Sequence, residues 1–95
     1  MQIGRIQGTV VASQKDEKLS GMKFHIVEQA DYQGTAKGST IVAVDCVGAG
    51  VGELVLFTSG SSARQTELTV NKPIDAVIMA VVDEIHYQGR STFKK

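Results

Sequence analysis

Two stretches of the sequence are apolar on both faces of the strand that each would form. Thr40–Val47 carries a single charge, and Ile74–Ile85 is apolar at every position of Ala76–Val82. A strand sends alternate side chains to opposite faces, so each of these strands needs cover on two sides. One small domain, spanning residues 1–95, leaves some of these side chains uncovered, and burying a Val or Ile contributes roughly 1.5 to 3 kcal/mol. The pattern therefore predicts a homo-oligomer, arranged as a closed ring.

Three other segments have strand-like alternation and are separated by turns. They are Ile6–Ser13, Met22–Gln29 and Leu54–Thr58. In the first, alternation predicts one face made of Ile6, Gly8, Val10 and Ala12. In the second, it predicts Met22, Phe24 and Ile26 inward and His25 and Val27 outward.

The connections carry the residues expected of surface turns. The charged run Gln14–Gly21 predicts an exposed hairpin connection, and Asp31–Ser39 predicts a surface loop. Ser62 is followed three residues later by Gln65, a capping pattern that predicts at most a short helix. The polar tail His86–Lys95 is expected to fray or to reach a neighbouring subunit.

Five short strands and one helical turn in a chain of this length predict an all-β fold. The expected architecture is a small five-stranded antiparallel barrel, similar to the oligonucleotide-binding barrel, because closure removes the exposed edges of an open sheet.

The composition excludes several classes of protein. Ten Lys and Arg balance ten Asp and Glu, so no net charge attracts nucleic acid or an anionic membrane. The single cysteine, Cys46, cannot form an intrachain disulfide, and two histidines give no zinc-site spacing. No stretch has the pattern of a signal peptide or a membrane span, so we expect a cytoplasmic chain without metal or cofactor.

The sequence contains no convincing catalytic motif. Gly48–Glu53 is rich in glycine, but it has Glu53 where the dinucleotide fingerprint needs glycine, and it lacks the surrounding parallel unit. Cys46 lies in a strand without an adjacent base. Acid–base chemistry would need the carboxylates of Asp45, Asp75, Asp83 and Glu84 to converge. We therefore predict no catalytic residues and no enzyme activity.

A barrel of this kind leaves one alternative function open. A small oligomeric barrel can bind single-stranded nucleic acid or a small ligand by stacking bases on aromatic side chains in a basic groove. Phe24 and Phe57 lie in strand patterns that favour the core, and no basic patch accompanies Tyr32 or Tyr87. This alternative therefore ranks below a structural role.

Several motifs together resemble those of the bacterial microcompartment vertex proteins, the ethanolamine-utilisation and carboxysome pentamer family. The matching segments are Ile6–Ser13, Lys15–Gly21, Asp45–Glu53, Gly60–Arg64 and Pro73–Ala76 leading into Asp83. The resemblance covers nearly the whole chain, whereas residues 32–39 and 86–95 match nothing in the family pattern.

The resemblance implies a homopentamer that occupies the vertices of a polyhedral protein shell. The flat facets of such a shell are built from a different, hexameric family, which would be the partner of this chain. A non-catalytic role in the shell of a cytoplasmic microcompartment is therefore expected, while the type of microcompartment stays open.

The resemblance also suggests roles for individual residues. The turn Gly48, Ala49, Gly50 and Gly52 is expected at the subunit contacts. Glu53 and Arg64 are candidates for polar pairing between neighbouring subunits. Gly60, Ser61 and Ser62 are expected to line a small axial opening.

Overall fold

Seven strands and two short 3-10 turns make up the chain. The computed structural model describes all 95 residues. The strands are β1 (Gln2–Val10), β2 (Phe24–Ala30), β3 (Ala36–Asp45), β4 (Leu54–Ser59), β5 (Ala76–Val81), β6 (Glu84–Tyr87) and β7 (Arg90–Lys94). The 3-10 turns are Glu17–Leu19, inside the predicted hairpin connection, and Gly60–Arg64, close to the predicted helical turn.

Strands β1 to β5 close into a barrel in the order β1-β2-β3-β5-β4, and β4 pairs back to β1. The five-stranded barrel is confirmed, but its pairing is not wholly antiparallel. Strands β3 and β5 run parallel and pair through Val44 with Val77 and Asp45 with Ile78. The reason is topological, because strand directions cannot alternate all the way around a closed ring with an odd number of strands. A mixed barrel is therefore the one available solution.

The barrel interior is filled by side chains from all five strands and from the β3–β4 turn. This core consists of Ile6, Val27, Ala43, Ala49, Val55, Phe57, Ala76 and Ile78. Gly4 lies where β1 crosses the interior, and a Cβ atom there would come within 2.4 Å of Val27 Cγ1 and 2.8 Å of Phe57 Cε1. Only glycine leaves room for that packing.

Two of the predicted strand faces are corrected by the structure. In β2, His25 and Val27 face the interior and are buried, whereas Phe24 and Ile26 lie outside and are half-buried. Met22, Phe24 and Ile26 put apolar side chains on one face and Val27 puts one on the other, so alternation alone does not identify the inner face. In β1, an irregularity between Ile6 and Gly8 moves Gly8 to the outer surface while Ile6 stays inside.

Part of the outer surface of the barrel is covered by the chain itself. The connection between β4 and β5 packs Ala63 and Ile74 against Val44 and Val77, forming a second buried cluster. This contact explains why β3 and β5 are apolar on both faces over part of their length. Other outward side chains stay exposed, including Val42 at 48%.

The tail folds into the hairpin β6–β7 and packs on the loop that precedes β3. The Tyr87 ring lies 4.8 Å from the Tyr32 ring between centroids, and the Arg5 guanidinium lies 5.7 Å from the centre of the Phe93 ring. Thr92 Oγ1 donates a hydrogen bond to the Tyr32 carbonyl. The tail is therefore ordered within its own chain rather than frayed.

Candidate assembly surfaces

The glycine-rich turn between β3 and β4 is tied to β1 by backbone hydrogen bonds. The Gly52 N–H donates to the Ile6 carbonyl at 2.8 Å, and the Ile6 N–H donates to the Glu53 carbonyl at 3.0 Å. Gly48 and Gly52 have φ values of +75° and +92°, which strongly favour glycine. The glycines therefore set the shape of a fixed turn.

The predicted contact residues of this turn differ in exposure. Ala49 points into the barrel core and is 8% exposed, so it offers little surface to a neighbour. Gly48 and Gly52 are exposed, and Gly50 is half-buried. Val51 at the tip is 62% exposed. The backbone of the turn and Val51 are the parts that another molecule could contact.

Asp45 anchors the start of the turn. Its Oδ1 accepts hydrogen bonds from the N–H groups of Val47 and Gly48, both at 2.9 Å, and its Oδ2 lies 3.0 Å from His25 Nε2. His25 Nδ1 lies 3.2 Å from Thr9 Oγ1. Burial disfavours the ionised carboxyl, but the hydrogen bonds from Val47 and His25 outweigh it, and the pKa of Asp45 lies below its usual value. A charged, fully partnered carboxylate therefore holds the turn.

Glu53 closes the same turn from its other end. Its Oε1 accepts the Gly50 N–H at 2.6 Å, and its Oε2 lies 2.7 Å from Lys95 Nζ. The hydrogen bond from Lys95 and then that from Gly50 lower the pKa of Glu53. Within one chain the partner of Glu53 is thus Lys95, and pairing with Arg64 of a neighbour stays a prediction.

The 3-10 turn Gly60–Arg64 follows β4 directly. Gly60 has a φ of +69°, and its N–H donates to the Asp75 carbonyl at 2.7 Å, which fixes the start of the turn beside β5. Ala63 is fully buried beneath it, whereas Ser61 and Ser62 are exposed. The three predicted opening residues therefore lie together on one firmly held surface turn.

Arg64 has an exposed side chain without an ion pair in the chain. It borders a shallow, mostly polar cavity of about 370 Å³. The other lining residues are Ser61, Gln65, Val70 and Asn71. The guanidinium is free to pair with a group supplied by another molecule.

The remaining reactive side chains do not form a site. Asp75, Asp83 and Glu84 are exposed and Asp45 is engaged by its own turn. Burial raises the pKa of the Cys46 thiol, which weakens it as a nucleophile. No group of three or more His, Cys, Asp or Glu side chains has the geometry of a metal site, and none of the helical turns is long enough to span a membrane.

The aromatic side chains are mostly occupied within the chain. Phe57 is 2% exposed in the core, Phe24 is half-buried, and Tyr32 and Tyr87 contact each other. Stacking of single-stranded bases needs free aromatic faces along a basic groove. Few such faces remain on this barrel.

Two residues of these surfaces were not identified from the sequence. His25 was assigned to the outer face, but it is buried on β2 and contacts Asp45 at the end of the neighbouring strand β3. Lys95 contacts Glu53 across 42 positions of sequence, a separation at which sequence pattern carries no signal.

The chain is similar to known proteins over its full length. The family model described as "Ethanolamine utilisation protein EutN/carboxysome" matches residues 1–83. The carboxysome shell vertex protein CcmL of Gloeobacter violaceus is 42% identical over 95 residues, which is 100% of this chain and 95% of the relative. The microcompartment shell vertex protein EutN of Salmonella typhimurium is 38% identical, covering 100% of this chain and 96% of the relative.

Solved structures give the same result. The structure of Gloeobacter violaceus CcmL superposes with a TM-score of 0.94 at 42% identity, covering 100% of this chain and 98% of that one. The pentameric microcompartment shell protein GrpN from Rhodospirillum rubrum gives a TM-score of 0.83 at 42% identity, covering 92% and 99%. On this agreement of sequence and fold, the chain belongs to the EutN/CcmL family of microcompartment shell vertex proteins.

Proposed function

We propose that five copies of this chain form a closed ring that caps a vertex of a polyhedral bacterial microcompartment. The observation that carries the proposal is similarity at 38–42% identity, over the whole chain, to proteins named as shell vertex proteins. A relative with 42% identity, GrpN, has a solved structure described as pentameric. The role is structural rather than enzymatic, and its place is the microcompartment shell in the bacterial cytoplasm.

The role follows from geometry rather than from chemistry. A lattice of six-fold tiles is flat, and units with five-fold symmetry close it at the corners. A ring of five identical subunits uses one heterologous contact repeated five times, and it has no free ends. The partner in the shell is a hexameric facet protein, which this ring contacts along its rim.

The surfaces described above are assigned to this ring. The turn Gly48–Glu53 and the free guanidinium of Arg64 are proposed to lie at or near the subunit contacts. Gly60, Ser61 and Ser62 are proposed to surround the five-fold axis. Their small side chains would leave a narrow opening that admits little more than water or small ions.

The mass of the native assembly tests the proposal directly. Native mass spectrometry of the full chain at physiological salt is expected to give a discrete complex of five chains of 10.1 kDa. A stable monomer would contradict the ring. A salt-dependent complex with single-stranded nucleic acid would support the alternative function instead, because counterion release makes such binding fall as salt rises.

A second measurement tests the vertex role once the ring is established. Co-expression with a hexameric facet shell protein is expected to yield closed particles, and omission of this chain is expected to yield open sheets or tubes. Closed particles of normal shape in its absence would show that the ring does not cap vertices.

A further inference from the structure

A basic pocket of about 370 Å³ lies at the end of the barrel where β1 ends and β2 begins. Its polar lining consists of Thr9 on β1, Lys15 on the β1–β2 connection, Lys23 just before β2 and His25 within it. The surfaces assigned to the proposed ring contribute no residue to this pocket. It is therefore a separate feature of the chain, which each subunit has whether or not the ring forms.

The two ammonium groups of the basic pocket have no acidic partner in the chain. Neither Lys15 nor Lys23 belongs to an ion pair. Lys15 Nζ donates one hydrogen bond, to the Ala12 carbonyl at 3.1 Å, and an ammonium group has three donors. The neighbouring acidic residues Asp16 and Glu17 do not line the pocket. Two positive charges are therefore available to an anion.

The rest of the pocket lining is apolar. It is made of Val10, Val11, Ala12, Met22 and Phe24. Val11 is 90% exposed, and Met22 and Phe24 are half-buried. A hydrocarbon chain attached to the anion would remove part of this apolar surface from water, which an inorganic anion cannot do. The lining therefore favours an organic anion.

His25 is the centre of a hydrogen-bond chain that runs from the pocket to the glycine turn. Its Nε2 lies 3.0 Å from Asp45 Oδ2, and its Nδ1 lies 3.2 Å from Thr9 Oγ1. A carboxylate only accepts hydrogen bonds, so Nε2 carries a hydrogen and donates it to Asp45. In the neutral ring Nδ1 is then an acceptor, and the Thr9 hydroxyl donates to it. While His25 is neutral, the Thr9 oxygen therefore presents only lone pairs to the pocket.

Protonation of His25 reverses its hydrogen bond with Thr9. Both ring nitrogens of an imidazolium donate, so Nδ1–H donates to Thr9 Oγ1 and the hydroxyl hydrogen becomes free to point into the pocket. The imidazolium also adds a third positive charge beside the two lysines. The protonated ring therefore strengthens the binding of an anion through both charge and hydrogen bonding.

The charges around the His25 ring couple the anion to the proton. Asp45, at the end of β3, attracts the imidazolium, and the two lysines of the pocket repel it. The residues opposite His25 on the neighbouring strands, Thr9 and Ala43, carry no charge. A bound anion offsets the repulsion from the lysines. By linkage, the anion and the proton each strengthen the binding of the other by the same factor.

We propose that the basic pocket binds a small organic carboxylate with a short hydrocarbon chain, and that His25 takes up one proton as it binds. The carboxylate lies between Lys15 and Lys23 and accepts the hydrogen bond of the Thr9 hydroxyl. Its hydrocarbon chain packs on the apolar lining. The proton comes from the solvent and returns to it when the carboxylate leaves. This site goes beyond the structural role at the vertex, because it gives each subunit a ligand.

Butyrate is the probe, and butyramide is the matched neutral ligand. NMR titration of the full chain is expected to show one butyrate site, with an affinity that falls by up to about tenfold per pH unit between about pH 6 and pH 8. Butyramide is expected to bind about tenfold more weakly or less tightly still. Equal binding of the two ligands, or a butyrate affinity independent of pH, would overturn the proposal.

The imidazole resonances test the proton directly. Saturating butyrate is expected to raise the pH at which the His25 ring is half-protonated. The exposed His86 is the internal reference and is expected not to respond. A His25 titration that is the same with and without butyrate would show that no proton is taken up.

Substitutions of the lining test the location of the site. Lys15→Gln and Lys23→Gln are each expected to weaken butyrate binding about fivefold. Lys18→Gln, in the same connection but outside the pocket, is the matched control and is expected to leave it unchanged. Thr9→Val is expected to weaken binding and Thr9→Ser to restore it. Equal losses in the Lys18 and Lys23 variants would show attraction to surface charge in general and would overturn the site.

His25→Gln keeps a hydrogen-bond donor for Asp45 and removes the titrating ring. Circular dichroism checks its folding, and the folded variant is expected to bind butyrate with the same affinity at about pH 6 and pH 8. If it does not fold, the Thr9 variants and the His25 titration decide the question in folded protein. The native mass tests the ring separately, so a pentamer without a butyrate site refutes this site alone, and a monomer that binds butyrate refutes the ring alone.

Discussion

Asp45 is the side chain on which the shape of the glycine turn depends most. Its carboxylate accepts hydrogen bonds from the backbone N–H groups of Val47 and Gly48 and contacts the buried His25. Asp45→Ala removes the charged acceptor of both exposed turn N–H groups and leaves the buried His25 ring without its partner. We expect a loss of about 1.5 to 3 kcal/mol in the free energy of unfolding. Urea unfolding at one fixed protein concentration measures it, because association is coupled to stability.

The control is Asp75→Ala, which removes an exposed carboxylate whose side chain makes no hydrogen bond in the chain. It is expected to change the unfolding free energy by no more than about 0.5 kcal/mol. Equal losses in both variants would show that Asp45 is not a specific anchor.

The low pKa of Asp45 also predicts a pH dependence. The folded pKa lies below the unfolded value of about 3.9, so the folded state binds the proton less tightly. The stabilisation is therefore complete above about pH 4 and is lost as the pH falls through the folded pKa. Unfolding between pH 3 and pH 6 is expected to show a shallower slope for Asp45→Ala than for the wild type, and identical slopes would contradict the prediction.

At the scale of elements, Gly34 controls the docking of the β6–β7 hairpin. Its φ is +81°, and a Cβ atom there would lie 2.9 Å from Phe93 Cδ1 and 3.1 Å from Arg5 Nη2. Gly34→Ala is expected to displace the Phe93 ring from its packing position beside Arg5. Hydrogen exchange of the hairpin amides is expected to become about tenfold faster or more, which corresponds to about 1.4 kcal/mol.

Gly38→Ala is the matched control for this prediction. Gly38 has a similar φ of +93°, but a Cβ atom there would have nothing within 4 Å. It carries the same backbone strain of about 1 to 3 kcal/mol without the clash. If both variants accelerate hairpin exchange equally, strain rather than Phe93 packing accounts for the effect.

The barrel could be predicted from sequence because its strands carry local signals. Periodicity and glycine turns located all five, and the double-sided apolar pattern of β3 and β5 matches real burial on both faces. The hairpin β6–β7 was missed because its stability comes from Tyr32, Arg5 and Gly34, which are far away in sequence. The inner face of β2 was reversed because apolar residues occupy both faces, and partners on neighbouring strands decide between them.

The candidate surfaces likewise divide into features that local sequence motifs predict and features that depend on contacts between distant strands. The motif segments pointed to the turn Gly48–Glu53 and the turn Gly60–Arg64, and both are well-formed surface features. The pairing of Leu56 with Ile3 and Ala80, and of Ile26 with Gly8 and Val42, could not be predicted, because it is set by the register of three strands. Register depends on the bulge in β1 and on barrel closure, which no single segment encodes.

At the scale of the whole molecule, substitution of Arg64 shows whether its guanidinium forms an ion pair between subunits or is solvated. An exposed ion pair contributes only about 0 to 1 kcal/mol, whereas apolar contacts contribute more. Arg64→Ala is therefore expected to leave the native mass of the ring unchanged in light scattering over a range of concentrations. Dissociation into monomers would show instead that Arg64 is buried and paired between subunits.

The position of the five-fold axis in the assembly can be tested by cross-linking at a single residue. If Gly60–Ser62 surrounds the axis, a thiol placed at Ser61 comes close to its copies in the neighbouring subunits. A short thiol-to-thiol cross-linker is expected to give Ser61→Cys covalent dimers and nothing larger, because each thiol reacts once.

The wild type controls for the native thiol in that experiment, since burial raises the pKa of Cys46 and slows its reaction. Ser13→Cys, on an exposed connection after β1, is the matched control and is expected to stay uncrosslinked. Dimers from Ser13→Cys and none from Ser61→Cys would place the axis at the β1–β2 connection rather than at Gly60–Ser62. The opening would then be lined by the β1–β2 connection, whose charged side chains would give it a different selectivity from that of serine and glycine.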